Sequence, residues 1–507
     1  MKRCSLTHSR KFAAAALALL LLLAGCRAKP PAEETPTGEA PAKPAAPAGQ
    51  IAVPYTALDS LNPFYTESVI NAQLIPLVFR SLYRLNGAYE PQADLAVSGT
   101  ESALRVQVTV AADAVFSDGV ALTAKDVQYS FEKAKNAPLY AAALSGIERC
   151  ETAGTTETVF YLTNEDPNIL NVLTFPITKQ GTASNEDSLP IGAGPFAYES
   201  ETGGAALVFN ERAEPPYPAV GAIALQNVTE SASLMHLLDS GVIDCFFTDL
   251  SEGAAKRTAG GSTEVYLNNL VFLGVNHGSY LLGNPEVRRA VSLALSRGRL
   301  CADAFLNHAR AAFSPYNTSW AGLQGAQSVM RDTDAAAAEK LLQPFNAGPK
   351  GETLSYRLVY ETDGAYAADA ARIIASQLAA VNITAEPVGL QREQYLAALG
   401  AGEFDLYLGE VKLPDNMDLS VFFTEEGAAR YGMRGIELRS DSAFALCRSG
   451  QSKPGDLLAV FSEEMPFIPL LFRNGQFCYA TRITGVKEAT RADPYYSVTE
   501  WEVAQDG

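Results

Sequence analysis

The sequence lacks the marks of a metal or redox centre. It has seven cysteines in 507 residues and no CxxC pair among them, so neither a zinc site nor a dithiol redox motif is written in it. Of four histidines, none is spaced as HExxH or as a helical i, i+4 pair. Beyond the N-terminal segment only His236, His277 and His308 are left, too scattered to form a soft-ligand cluster. Phosphate-loop, GxGxxG and GxSxG motifs are missing as well, and Gly192-Ala193-Gly194-Pro195 has the wrong spacing and reads as a rigid turn. Cations are in deficit, with 39 Lys and Arg against 57 Asp and Glu and a net charge of −18. That balance disfavours nucleic acid and anionic headgroups as partners. No repeat of fixed period is visible, and the apolar run over residues 12–25 is shorter than the ~20 residues a membrane-spanning helix needs.

That short run is the first informative thing present. Lys2, Arg3, Arg10 and Lys11 precede it, and Leu23-Ala24-Gly25-Cys26 closes it. A basic start, an apolar middle and small residues before a cut site make a secretory signal peptide over 1–25. The Cys after Leu-Ala-Gly resembles the bacterial lipobox, in which that Cys receives lipid and becomes the mature N-terminus. The plainer alternative is an ordinary signal peptide with an incidental Cys. Lipidation of Cys26 implies an extracytoplasmic protein anchored to the cell membrane through its lipid. Cleavage leaves 482 residues and, since 1–25 carry four cations and no acid, a net charge of −22. A chain of that length is too long for one core, so two or more lobes are expected. Residues 26–50 are rich in Pro and Ala without apolar periodicity and read as a solvated stalk reaching on the order of 30–70 Å. Cys150, Cys245, Cys301, Cys447 and Cys478 remain, an odd number at irregular spacing; buried thiols are the favoured reading over disulfides.

The body, from about Gln50-Ile51, alternates strand and helix patterns. Arg105–Val110 alternates polar and apolar residues and reads as a strand with one buried face. Asp118-Gly119 is a turn signal. Thr123-Ala124-Lys125-Asp126 is a capping box in which hydroxyl and carboxylate satisfy opposing amides, opening a helix with Val127, Phe131 and Ala134 on its apolar stripe. Asn284-Pro285 opens another helix, with Val287, Ala290, Val291, Ala294 and Leu295 on one face and Gly298 as its stop. Residues 354–360, 366–380 and 383–388 read as strand, helix and strand. Such mixing argues α/β lobes. A large extracytoplasmic chain without a catalytic signature fits ligand binding between lobes. Paired catalytic carboxylates carry no local motif, so a hydrolase stays open at this level.

Motif order then carries a resemblance. Asp59-Ser60-Leu61-Asn62-Pro63, Leu77–Leu82 and Tyr89–Ala96 are followed by Val115-Phe116-Ser117-Asp118-Gly119 and Leu122–Phe131. Ile191–Phe196, Phe272–Asn276 and Pro285–Val291 complete the series. In this order, across essentially all of 51–500, they resemble the family 5 extracellular solute-binding proteins, receptors of peptide, nickel and related ABC importers. The resemblance implies an α/β, two-lobed periplasmic-binding-protein-like (class II) fold with an extra subdomain inserted in the first lobe. Mapped here, 51–83, 190–268 and 475–507 form the first lobe, 84–189 the inserted subdomain and 269–474 the second lobe, with a hinge crossed twice. The Asp118–Phe131 signature falls in the subdomain and is explained by turn, cap and packing alone. The implied partners are a small-molecule or peptide ligand and ABC permease and ATPase subunits. The chain is expected to be a monomer without enzyme activity, cofactor or metal. A surface sensor for a signalling peptide is the alternative, with an extracytoplasmic hydrolase behind it.

Peptide receptors of this family carry a Trp and an Asp in a loop reading roughly G-W-x-A-D-Y-x-x-P, the Asp holding the peptide α-ammonium. The matching stretch, 404–419, has no Trp and places Lys412 at or within a residue or two of that Asp. A Lys facing the cleft would repel an ammonium, unless Asp415 or Asp418 takes over the role. Anionic, modified and uncharged solutes are equally open. The competing reading has Lys412 in solvent or paired with Glu410 or Asp415. Asn62 and Tyr65 after the first strand, Asn276 at the entry to the second lobe, and Tyr316 in a Pro/Asn turn complete the candidate ligand residues, together with Lys412 and Asp415.

Overall fold

The computed structural model describes residues 47, 49–199, 205–251, 253, 259–324, 326 and 330–504. The signal segment, Cys26 and nearly all of the 26–50 stretch lie outside the described residues. The first strand begins at Gly49, so the last two residues of the expected stalk already belong to the body.

Three large apolar cores, with a smaller fourth around Leu234, Leu238 and Phe246, organise the described residues. The first lies on a four-stranded sheet in the order Gly49–Tyr55, Val220–Asn227, Ala206–Phe209, Phe196–Tyr198, with Ile51, Val53, Ile223 and Trp501 buried. The second lies on an antiparallel sheet ordered Ala96–Ser102, Arg105–Val110, Glu157–Leu162, Ile147–Thr152. Val106, Val108 and Val110 face inward from Arg105–Val110, as period-2 patterning requires. They meet the helix Ala124–Ala134 through Val127, Phe131 and Ala134. At its N-terminus the Asp126 carboxylate accepts from the Thr123 amide at 2.9 Å and from the Thr123 hydroxyl at 2.7 Å. The hydroxyl therefore donates to the carboxylate. The turn before it needs Gly119 at φ +84°, a conformation that a Cβ disfavours. Gly192-Ala193-Gly194-Pro195 is a tight turn: a Cβ on Gly192 would lie 2.0 Å from the Val78 carbonyl oxygen.

The third core is the largest and holds the strand–helix–strand unit. Leu354–Glu361 and Ile383–Leu390 pair in parallel, joined by helix Ala367–Ala379, with Ile374 and Leu378 buried. Helix Pro285–Ala294 buries Val287, Ala290 and Val291. It stops at Ala294, earlier than Gly298: Leu295 turns extended, and the Ser296 hydroxyl caps a new helix, Arg297–Asp303, which contains Gly298. All five described cysteines are free and buried.

Two long strands join the first core to the third. Gly261–Val275 sends Val265 and Leu267 into the first core and Leu270, Phe272 and Val275 into the third. Its antiparallel partner Ile468–Tyr479 does the same with Phe477 at one end and Ile468 and Phe472 at the other. Their ladder is broken between Tyr266↔Asn474 and Leu270↔Phe472. The break marks the seam between the cores.

Candidate functional site

At the seam the strands exchange apolar for polar residues, and most of the buried polar groups have a partner, as burial demands; Arg491 Nε is an exception. Asn317, fully buried, donates to the Leu267 carbonyl at 3.0 Å and to Asn268 Oδ1 at 2.6 Å. Asn268 Nδ2 in turn donates to Asp415 Oδ1 at 3.1 Å, and Arg491 Nη2 donates to Asp415 Oδ2 at 2.6 Å. On the neighbouring row, Arg473 donates to Glu410 Oε1 at 2.9 Å and to the Asp249 carbonyl at 2.8 Å, while Asn269 donates to the same Glu410 oxygen at 2.7 Å. Arg310 stacks over Tyr266 at 3.8 Å and donates to Asn474 Oδ1. These residues come from segments up to about 240 positions apart and meet only because both long strands cross here.

Lys412 ends the strand Leu406–Lys412, opposite Asn269 in the antiparallel register. Lys412 is exposed and forms no ion pair or side-chain hydrogen bond among the described residues. Glu410 and Asp415, its expected partners in the competing reading, are taken by Arg473 and Arg491. The Lys412 pKa lies below its ordinary value, chiefly through the Arg491 charge and secondly through lost hydration, with Asp415 and Asp249 pulling the other way.

The other sequence candidates fare differently. Asn62 is fully buried: its Nδ2 donates to the Asn185 carbonyl at 2.8 Å and its Oδ1 accepts from the Phe64 amide. Both ends of its side-chain amide are thus engaged within the protein. Tyr65 keeps an exposed ring with its hydroxyl on the Ser184 carbonyl. Asn276 belongs to the far end of the strand from the seam, seven residues past Asn269 and so ~23 Å away, where its amide donates to the Phe404 carbonyl. Tyr316 is buried against Trp320, with its hydroxyl near Cys447. It lines a separate cavity of 340 Å³ shared by Asp166, Trp320, Met417, Phe444 and Lys453. Asp418, the other possible ammonium acceptor, instead accepts from the Ser420 amide and hydroxyl. So the structure brings Lys412 and Asp415 together and leaves Asn276 apart, while Tyr316, next to Asn317, opens onto the other cavity, which Pro414 and Asn416 also line. A second cavity, of 270 Å³, adjoins the seam and is lined by Tyr89, Glu264, Tyr266, Asp415, Glu488 and Arg491 among others.

Sequence reasoning missed Arg491, Arg473, Asn268 and Asn317. Only one sign of them was visible: isolated polar residues interrupting otherwise apolar strands, as in Leu267-Asn268-Asn269-Leu270 and Phe472-Arg473-Asn474. Among the described residues no group of three His, Cys, Asp or Glu is placed to hold a metal ion, and no helix is long and apolar enough to cross a membrane.

Residues 90–425 match the family model described as bacterial extracellular solute-binding proteins, family 5 middle. No curated protein sequence matches the chain. Among solved structures it is similar to NikZ from Campylobacter jejuni in complex with Ni(L-His), at 20% identity and TM-score 0.61, covering 90% of this chain and 99% of that one. It is also similar to the oligopeptide-binding protein AppA from Bacillus subtilis in complex with a nonapeptide, at 17% identity and TM-score 0.59, covering 90% and 99%. A third is the murein tripeptide-binding protein MppA in its unliganded open form, at 16% identity and TM-score 0.74, covering 91% and 99%.

Proposed function

The chain belongs to the family 5 bacterial extracellular solute-binding proteins, and from that premise we propose that it captures a small solute at the seam between its first and third cores and passes it to an ABC importer. The observation that carries this reading is the seam itself. Two strands pass from one core to the other there, their ladder is broken, and the residues at the break are polar and charged. The cores would close over solute by bending at these two strands, with 269–474 moving as the second lobe and 84–189 as a subdomain of the first. Asp415 holds Arg491 in place, Lys412 faces the solute, and Tyr65 offers an aromatic face from the first lobe.

The similar structures carry a nickel–histidine complex and a nonapeptide, so the fold alone does not choose the solute. In this reading the protein binds and releases; it is monomeric, catalyses nothing, and leaves ATP hydrolysis to the importer's own subunits. Residues 1–25 are removed and Cys26 carries the lipid that tethers the body outside the cytoplasm.

One measurement tests both halves. Native mass spectrometry of the full chain, purified in mild detergent from its own host, should give a polypeptide lacking residues 1–25, heavier by acyl groups on Cys26, with a small solute that leaves on denaturation. An unacylated N-terminus removes the anchor, and a bound species that is turned over during incubation replaces the receptor with a hydrolase.

A further inference from the structure

We propose that the solute presents a carboxylate, or an equivalent anionic oxygen group, to Lys412 with Arg491 beside it. This names the solute class for the cleft described above and rests on that reading.

The argument begins with unspent donors. Lys412 has three N–H bonds, and its amine meets no hydrogen-bond acceptor among the described residues, Glu410 and Asp415 being taken by Arg473 and Arg491. Arg491 has five N–H donors and, among the described residues, commits one of them, to Asp415. Its Nε is buried and has no acceptor. A buried N–H without an acceptor is costly, and a guanidinium so lightly tied has donors left to offer.

Nearby carboxylates do not answer this surplus. Glu410 accepts from Arg473 and Asn269, and Asp415 from Arg491 and Asn268. Each is neutralised by its own Arg. Asp249 faces Lys412 from the loop after Cys245–Thr248, with its Oδ1 on the Ser251 amide at 3.0 Å. It pairs with no cation among the described residues and is the rival partner for Lys412 when the cores approach. The Arg491 charge acts on the Lys412 amine more strongly than either Asp415 or Asp249 taken singly, and Asp415 is itself held by Arg491 at 2.6 Å, so an incoming anion meets two cations there. An α-ammonium would meet the reverse, at the position where peptide receptors of this family carry the Asp that holds it. A carboxylate brings two oxygens and about four lone-pair sites, enough to serve Lys412 and one Arg491 donor together, and the 270 Å³ cavity that Arg491 lines provides room beside it.

The test uses two pools of tripeptides with identical side chains. One pool is N-acetylated with a free C-terminal carboxylate; the other has a free N-terminus and a C-terminal amide. Each is incubated with the full chain in detergent, and the retained peptides are weighed by native mass spectrometry. The acid pool should be retained at least ~10-fold over the amide pool, a difference in reach of one charge-assisted contact. Lys412→Gln, at an exposed strand end, should bring the ratio close to one. Asp249→Asn should leave the preference intact or raise it. Equal or better retention of the amide pool, an unchanged ratio in Lys412→Gln, loss of the preference in Asp249→Asn, or retention of neither pool overturns the proposal. If neither pool is retained but a host-derived solute is found, the receptor reading stands and only the carboxylate assignment falls. If neither pool nor a host-derived solute is found, both fall.

Discussion

The interior of the third core and the seam lie on the same two strands and are built from opposite materials. In the core, Phe272, Phe422 and Phe467 form a ring cluster, with Phe422 stacked on Phe467 at 4.0 Å and Phe272 edge-on to both at 5.0 and 5.5 Å. A few residues along the same strands, Asn268, Arg473 and Asn474 are buried as well, and Asn317 joins them from outside the strands. Ring packing is dense, and a small displacement forfeits contacts without replacement. A hydrogen-bonded seam can trade one partner for another, or for water, without exposing apolar surface. Aromatic packing therefore suits a lobe that must keep its shape, and a polar seam suits a joint that must change it.

Breaking the core should be the costlier act. Phe467→Ala removes a fully buried ring and should cost about 3–5 kcal/mol, read as a lowered urea midpoint at unchanged slope. A loss below about 1 kcal/mol would mean that neighbouring rings collapse into the space, and the core would then be as adaptable as the seam.

How much of this contrast the sequence disclosed follows from the range of the interactions. Local features were legible: the 354–388 strand–helix–strand unit, the Arg105–Val110 alternation and the Thr123–Asp126 cap depend on residues a few positions apart. The end of helix Pro285–Ala294 was misplaced at Gly298 because Ser296 caps the next helix and stops the first sooner. At the candidate site, Lys412 was visible because it replaces an expected residue in a motif. Its neighbours were not, since Arg491 reaches Asp415 across 76 positions and nothing in either segment marks the pair. Asn62 and Asn276 show the same limit: their side-chain amides donate to the carbonyls of Asn185 and Phe404, more than 120 positions away, and nothing local to either residue announces that partner.

The second comparison concerns acid. His277 lies at the end of Gly261–Val275 far from the seam, with its Nε2 on the Pro466 carbonyl at 2.9 Å. Burial, and then the Arg288 charge, lower its pKa to about 4. A histidine held below its unfolded value stays neutral in the folded chain while the unfolded chain takes up a proton. Its contribution is therefore intact above about pH 6.5 and declines as pH falls towards 4. Between pH 7.5 and 4.5 the linked loss should be about 2–3 kcal/mol. His277→Gln should remove most of it in paired denaturation curves; an equal acid loss in the variant would place the sensitivity elsewhere, the charged seam being the first place to look.

The smallest effect should come from the seam itself, and its size decides the comparison. Asn317→Ala deletes an amide that donates to the Leu267 carbonyl and to Asn268 Oδ1 and accepts from the Ser319 amide. Lost buried hydrogen bonds of this kind cost about 1–2 kcal/mol when water enters in their place. Here the vacated space is ringed by two to four polar partners, which is what a bound water requires. Hydrogen exchange should accelerate at residues 267–270 and stay unchanged in the Phe272–Phe422–Phe467 region, because the joint loosens while the lobe does not. A loss as large as that of Phe467→Ala, spread over both regions, would mean that seam and core unfold as one rigid body. The two strands would then be a girder, and closure of the lobes would have to bend the chain somewhere other than Leu267–Leu270.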